Sequence, residues 1–361
     1  MSVMTEFQSR RTSLIEQFAE LKIDALFVSF LPNVRYLTGF TGSNGLLLLS
    51  PERATFFTDP RYKLQSAREV DCHVRVGTGP VLPRVAAQAA KEKIRRLGFE
   101  QARVSFEVYD SLKSKLPLGA ALRPVAGIVE RRRMRKSPVE IETIRAAVRI
   151  NSEAFEQGIR AISPGMTESD LAAEIEYRMR RLGADKPSFE TIVAAGSRSA
   201  LPHANPGPTP LQHGCFVLID MGATLNGYTS DMTRTLFLGR PGRKARDLYG
   251  AVLEAQLAAI DAVKPGNESG RVDRAARGIL RKHGLEKAFM HSTGHGLGLE
   301  IHEPPRMGKG EKTPLEAGMA ITIEPGAYIE GFGGVRIEDT VLVTANGCEI
   351  LTPTPKVLLE L

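Results

Sequence analysis

Seven histidines occur in 361 residues, and three of them fall within thirteen positions, 291–303, in HSTGHGLGLEIHE. Such density is the mark of metal ligation or proton transfer. In a helix, His291 and His295 would share a face, as paired ligands do in helical zinc sites. Gly294, Gly296 and Gly298 argue against a helix, since each glycine costs about 1 kcal/mol relative to alanine. Leu297, Leu299 and Ile301 alternate instead, which reads as a strand. The histidines must find their partners elsewhere in the chain.

Those partners are acids in unusual places. CFVLIDMG ends an apolar strand in Asp220, and Asp231 follows within YTSDMTRT. AITIEPG ends another apolar strand in Glu324, and GVRIEDTVLVT places Glu338 inside a strand, sharing a face with Arg336 and Thr340. A carboxylate at the end of a core strand costs several kcal/mol unless it is paired or bound to metal. Four negative charges are balanced by two divalent cations, one imidazole completes the set, and a water between two such ions ionises readily. Carboxylates with a single nitrogen suit Mn, Fe, Co or Zn better than a thiolate site would. The competing reading pairs the acids with Arg234, Arg271 and Arg336.

Positioning these groups requires a large, regular scaffold. The chain is long enough for two domains, and its 42% hydrophobic and 25% charged residues are those of an ordinary globular protein. Residues 4–21 have helical periodicity, and DALFVS, NGLLLLS, ATFFT, HVRV and ARVSFE read as strands, with a helix over 80–96. At DPRY, Asp59 and Pro60 signal a helix start. A break follows RRRMRK (131–136), read as a solvated linker or interdomain seam. SPVEIETIRAAVRINSEAFEQGIRAI then opens a long helix with a capping box of Ser137 and Glu140. Further helices are expected from Thr167, over 244–263 and over 270–283, each pair followed by strands, so a duplicated αβ half is expected.

The net charge of +7 raises the question of nucleic acid, but the excess sits in residues 1–136, and its sharpest cluster, RRRMRK, has no aromatics interleaved with it, so the stacking pattern of a single-strand binder is missing. No apolar run is long enough to span a membrane, and no secretory leader is expected. Three scattered cysteines read as free thiols in the cytoplasm.

HSTGHGLGLEIHE, DMGATLNGYTSDMTRT, ITIEPG and GGVRIEDT together resemble the pita-bread metallopeptidases, the group of methionine aminopeptidases, aminopeptidase P and prolidase. NVRYLTGFTGSNG and TDPRY are similar to the creatinase-type N-domain, which methionine aminopeptidases lack. The resemblance implies an α+β protein: a creatinase-type α/β N-domain over 1–128, then a pita-bread catalytic domain of two pseudo-symmetric αβ halves over 129–361. It implies two divalent ions per chain, Mn first, with Co, Zn or Fe as alternatives. Asp220 would hold one ion, Asp231 and Glu338 would bridge both, and His295 and Glu324 would hold the other.

It further implies an exopeptidase for the Xaa-Pro bond acting on proline-containing peptides or dipeptides, in a cytoplasmic homodimer without nucleic-acid or membrane partners. Glu324 would shuttle the proton, His302 and His203 would hold the oxyanion and substrate backbone, and His291 would line the proline pocket. An N-domain would narrow the mouth of the site. A strictly extended strand would put His295 and His302 on opposite faces, so the glycines must bend the chain. Arg336 would orient Glu338 and border the substrate. Arg306, in HEPPRM, is a candidate clamp for the carboxylate of a dipeptide. The main reading is aminopeptidase P, with Xaa-Pro dipeptidase as the alternative and a catalytically silent pita-bread binding protein as a distant one.

Overall fold

The computed structural model describes residues 4–361, which divide into two compact units between Arg133 and Met134. In the first unit, strands rich in Leu, Phe and Val form a six-stranded mixed sheet. Its order is His73–Val76, Ala54–Thr58, Leu46–Leu49, Ala25–Val28, Arg96–Glu100, Ala121–Val125. One expected strand is misplaced. ARVSFE is a turn leading into the helix Phe106–Lys115, because the Ser105 hydroxyl accepts the Val108 amide and caps that helix. The strand lies upstream, at Arg96–Glu100, and the expected helix over 80–96 ends correspondingly early, at Leu82–Lys91.

The basic cluster is not a solvated linker. Arg133 and Lys136 are both buried. Arg133 donates to the Asn33 side chain within the first unit, and Lys136 pairs with Glu303 within the second.

The second unit repeats a helix-pair-and-sheet plan. Pro138–Arg160 starts on the expected capping box, in which the Ser137 hydroxyl and the Glu140 carboxylate each satisfy the other's backbone N–H. Glu168–Arg181 starts on a second box, Thr167 with Asp170. This pair covers a three-stranded sheet ordered Met232–Leu238, Cys215–Met221, Ile192–Ala195. Helices Arg243–Asp261 and Ser269–Lys282 pack on a five-stranded sheet ordered Glu303–Met307, Gly294–Gly296, Ala320–Ile323, Asp339–Val343, Cys348–Ile350.

GVRIEDTVLVT is not one strand, as its alternation predicts. Gly333–Arg336 closes a separate hairpin with Gly326–Ile329, and Asp339–Val343 belongs to the five-stranded sheet. Glu338 therefore lies between two strands, where its N–H bonds to the Thr233 carbonyl of the opposite half. The stretch after His295 also departs from expectation. Its strand is confined to Gly294–Gly296, and the pairing with Glu303–Met307 shifts register between His295 and Gly296. That irregularity is the bend the histidines require.

Two glycines there are fixed by contact rather than by turning. A Cβ on Gly294 would lie 1.9 Å from the Thr322 carbonyl oxygen, and one on Gly296 2.3 Å from that of Pro304. Neighbouring backbones occupy the space a side chain would need.

Candidate metal centre

Every ligand candidate comes from the end or edge of a strand. Asp220 is the penultimate residue of Cys215–Met221, Asp231 immediately precedes Met232–Leu238, and Glu324 immediately follows Ala320–Ile323. Hydrophobic burial of the strands forces these polar ends together, because Val217, Leu218, Ile219, Ile321 and Ile323 are fully buried beside them. Ligand atoms of Asp231, His295 and Glu338 lie within 4.8 Å of one another. The His295 Nε2 is 3.6 Å from the Asp231 Oδ2 and 3.7 Å from the Glu324 Oε1.

The histidine is oriented for ligation. Its Nδ1 donates to the Gly296 carbonyl at 3.0 Å, which leaves the Nε2 lone pair facing the carboxylates. Burial pushes His295 down to about 4, so the ring is neutral at pH 7. A lone pair facing anionic oxygens needs a cation between them.

The carboxylates make the same demand. Burial, then repulsion from Glu338, Asp220 and Glu324, pushes Asp231 well above the usual range. Burial and the Glu324 and Asp220 charges do the same to Glu338, and burial pushes Glu324 up to about 8. The buried Asp220 Oδ1 has no hydrogen-bond partner. Four crowded acids, an orphaned oxygen and an aimed imidazole fit divalent ions.

Asp220 stands apart from the tight group, because its Oδ2 accepts the Arg336 Nη2 at 2.6 Å. Arg336, expected to orient Glu338, thus bonds directly to Asp220 and reaches Glu338 through one intermediary. Its Nε donates to the Thr233 hydroxyl, which donates in turn to the Glu338 Oε2 at 2.7 Å. Its Nη1 donates to the Pro202 carbonyl and to the Tyr328 hydroxyl. Four of its five N–H groups are so engaged, which ties Arg336 to the ligand candidates Asp220 and, through Thr233, Glu338. The competing salt-bridge reading holds only for Asp220, since Arg234 pairs instead with the buried Asp339.

The centre opens into a cavity of about 920 Å³ whose lining includes all five ligand candidates and His203, His291, His302, Arg306 and Arg336. The His302 ring packs 4.4 Å from that of His295, centroid to centroid. His203 and Arg306 project exposed into the cavity, the guanidinium lying over Gly308. His291 differs. Its Nδ1 donates to the Ser292 carbonyl and its Nε2 accepts from Tyr328, both at 2.8 Å, so it offers the cavity a ring and no free hydrogen bond. Sequence reasoning missed Tyr328 and Thr233. Thr233 was detectable, being two residues from Asp231 and so on the same strand face; Tyr328 carried no signal.

Comparison with known proteins gives a consistent picture. Residues 142–345 match metallopeptidase family M24, and residues 10–135 match the creatinase/prolidase N-terminal domain. A Xaa-Pro dipeptidase of Pyrococcus horikoshii is 38% identical over 99% of this chain and 100% of its own length. A solved Xaa-Pro dipeptidase from Bacillus anthracis has a TM-score of 0.96 at 39% identity, covering 98% of this chain and 100% of that one. A solved X-Pro aminopeptidase from Thermotoga maritima has a TM-score of 0.89 at 35% identity, covering 96% and 100%.

Proposed function

The chain belongs to metallopeptidase family M24, and from that membership we propose that it is a two-metal Xaa-Pro dipeptidase. This reverses the order of the two readings drawn from sequence, in which aminopeptidase P came first. The observation that carries the reversal is Arg306. Its guanidinium projects into the cavity of the metal candidates and makes no hydrogen bond or ion pair with any described residue. A free cationic fork there suits the carboxylate of a substrate that ends in proline. The dipeptidase names among the relatives support the same order. The X-Pro aminopeptidase likeness keeps the longer substrate as the second reading.

In this reading Asp220, Asp231, His295, Glu324 and Glu338 would hold two divalent ions, manganese first. The chemistry the ions would supply is polarisation of the scissile carbonyl and activation of water near neutral pH. The rest falls to the chain itself. The Glu324 carboxylate carries a proton to the departing proline nitrogen, which leaves poorly as an anion. His302 and His203 donate hydrogen bonds to the substrate backbone and to the carbonyl oxygen as its charge develops. Arg306 grips the terminal carboxylate, and the His291 ring, held from behind by the Tyr328 hydroxyl, forms a wall for the pyrrolidine. The three cysteines are unpaired, which supports cytoplasmic residence, and a homodimer completes the reading.

The test is an assay of manganese-loaded protein on Xaa-Pro, Xaa-Pro-Xaa and Xaa-Ala, with a chelator control. Cleavage of the dipeptide alone is expected. Cleavage of the tripeptide in preference restores aminopeptidase P, and equal cleavage of Xaa-Ala refutes proline selectivity.

A further inference from the structure

At the edge of the cavity, whose lining includes Glu303, lies a buried ion pair to which the reading above gives no role. The Lys136 Nζ is 3.2 Å from the Glu303 Oε2, and both side chains are 2% exposed. Lys136 closes the basic cluster RRRMRK, for which the peptidase reading has no use. Glu303 immediately follows His302 and begins the strand that carries Arg306.

The pair sits under the loop joining His295 to His302. The Glu303 Oε1 accepts the Glu300 amide at 3.1 Å, while its other oxygen faces the ammonium. Lys136 donates also to the Met134 carbonyl, and its own backbone N–H bonds to Gly318. A Cβ on Gly298 would meet the Glu303 Oε1 at 2.9 Å and the Lys136 Cε at 3.0 Å, so the loop is laid directly on the pair. From the opposite side, Thr229 donates its N–H and its hydroxyl to the Gly298 carbonyl.

Strand alternation turns this anchor into a position for two other side chains. Along Glu303–Met307 the residues Glu303, Pro305 and Met307 are buried, whereas Pro304 and Arg306 face out, as does His302 just before them. A slip of one residue would exchange the two sets. Pairing with Gly294–Gly296 is short, only three residue pairs with a register shift between His295 and Gly296. Beside the inward Pro305 and Met307, the inward carboxylate adds a specific constraint, since it can be buried only where the ammonium meets it.

We propose that Lys136 and Glu303 form a positioning pair that sets the register of the substrate-facing strand, and thereby the placement of His302 and Arg306. The inference rests on the dipeptidase reading for the role of Arg306. It also accounts for a charged pair where an apolar one would serve stability equally well.

Full-length manganese-loaded protein carrying K136M and E303L together tests it. Two apolar side chains of similar volume should preserve the melting temperature, yet kcat/KM on Xaa-Pro should fall roughly tenfold to a hundredfold, since small misplacements of contact groups cost that much. Preference for Xaa-Pro over its C-terminal amide should shrink with it, and K136R alone should retain most of both. Wild-type turnover and preference in the double variant, or losses that only follow unfolding, would refute the pair's role. Should that variant not fold, the isosteric E303Q decides the same question: reduced turnover and preference support the pair, and unchanged values reject it. A wild-type protein indifferent to the amide overturns the dipeptidase reading instead, and turnover of the variants still judges the pair.

Discussion

Glu324 ends an apolar strand with its Oε1 3.7 Å from the imidazole of His295, and its Oε2 lies 4.0 Å from the Nδ1 of His291 on the cavity wall. That place between ligand and substrate wall suits a proton carrier. Glu324→Gln keeps the shape of the side chain and removes its capacity to carry a proton. Turnover should fall by about a thousandfold or more, with an unchanged circular dichroism spectrum; near-wild-type rates in a metal-loaded sample would remove Glu324 from the mechanism. Arg306→Ala should act on binding. KM for Xaa-Pro should rise about tenfold to a hundredfold with kcat less affected, and the amide of the same dipeptide should show little change, as steady-state kinetics on the two substrates would reveal.

At the scale of elements, the close approach of strands decides what the glycine motif tolerates. The 1.9 Å separation between a Cβ on Gly294 and the Thr322 carbonyl oxygen cannot be relieved by a side-chain rotation, because the obstacle is backbone. Gly294→Ala should therefore destabilise the protein by about 3 kcal/mol, the upper range for overpacking, and a denaturant melt would measure it. Metal affinity should weaken alongside, since His295 is the next residue. Gly298 is a contrasting case, where the obstacles are the side chains of Glu303 and Lys136.

For the whole molecule, the acid cluster couples folding to pH and metal. Glu324 titrates near 4.5 when unperturbed and is pushed up to about 8 by burial, with Asp231 and Glu338 raised in the same direction. A raised carboxyl favours the fold while protonated. That contribution is complete below the unperturbed value and is lost as pH rises through the folded one. Metal-free protein should thus lose thermal stability between about pH 5 and pH 8. Divalent ions neutralise the same charges, so the melting-temperature gain from added manganese should grow over that interval. Calorimetry with and without chelator would check it, and a gain independent of pH would contradict the assignment.

The elements were largely legible in the chain. Ser137-Pro138-Glu140 announces its helix because capping is local chemistry, satisfied within four residues. The acids Asp220, Asp231, Glu324 and Glu338 were conspicuous because charge at the ends of apolar strands is costly wherever the strands go. ARVSFE failed because the serine that caps the next helix looks no different in a strand. Arg336 was assigned to Glu338 because alternation puts them on one face, whereas the chain leaves one sheet for another between them, so its guanidinium goes directly to Asp220 and reaches Glu338 through Thr233. By itself, then, the sequence determined which residues carry charge and imidazole, and which local segments must be helix or strand, since those are decided by chemistry within a few positions. Which guanidinium meets which carboxylate, that Tyr328 joins His291 to Arg336, and that Lys136 reaches Glu303 across 167 residues were decided only by tertiary packing. Such contacts depend on where distant strands end in space, and nothing local records that.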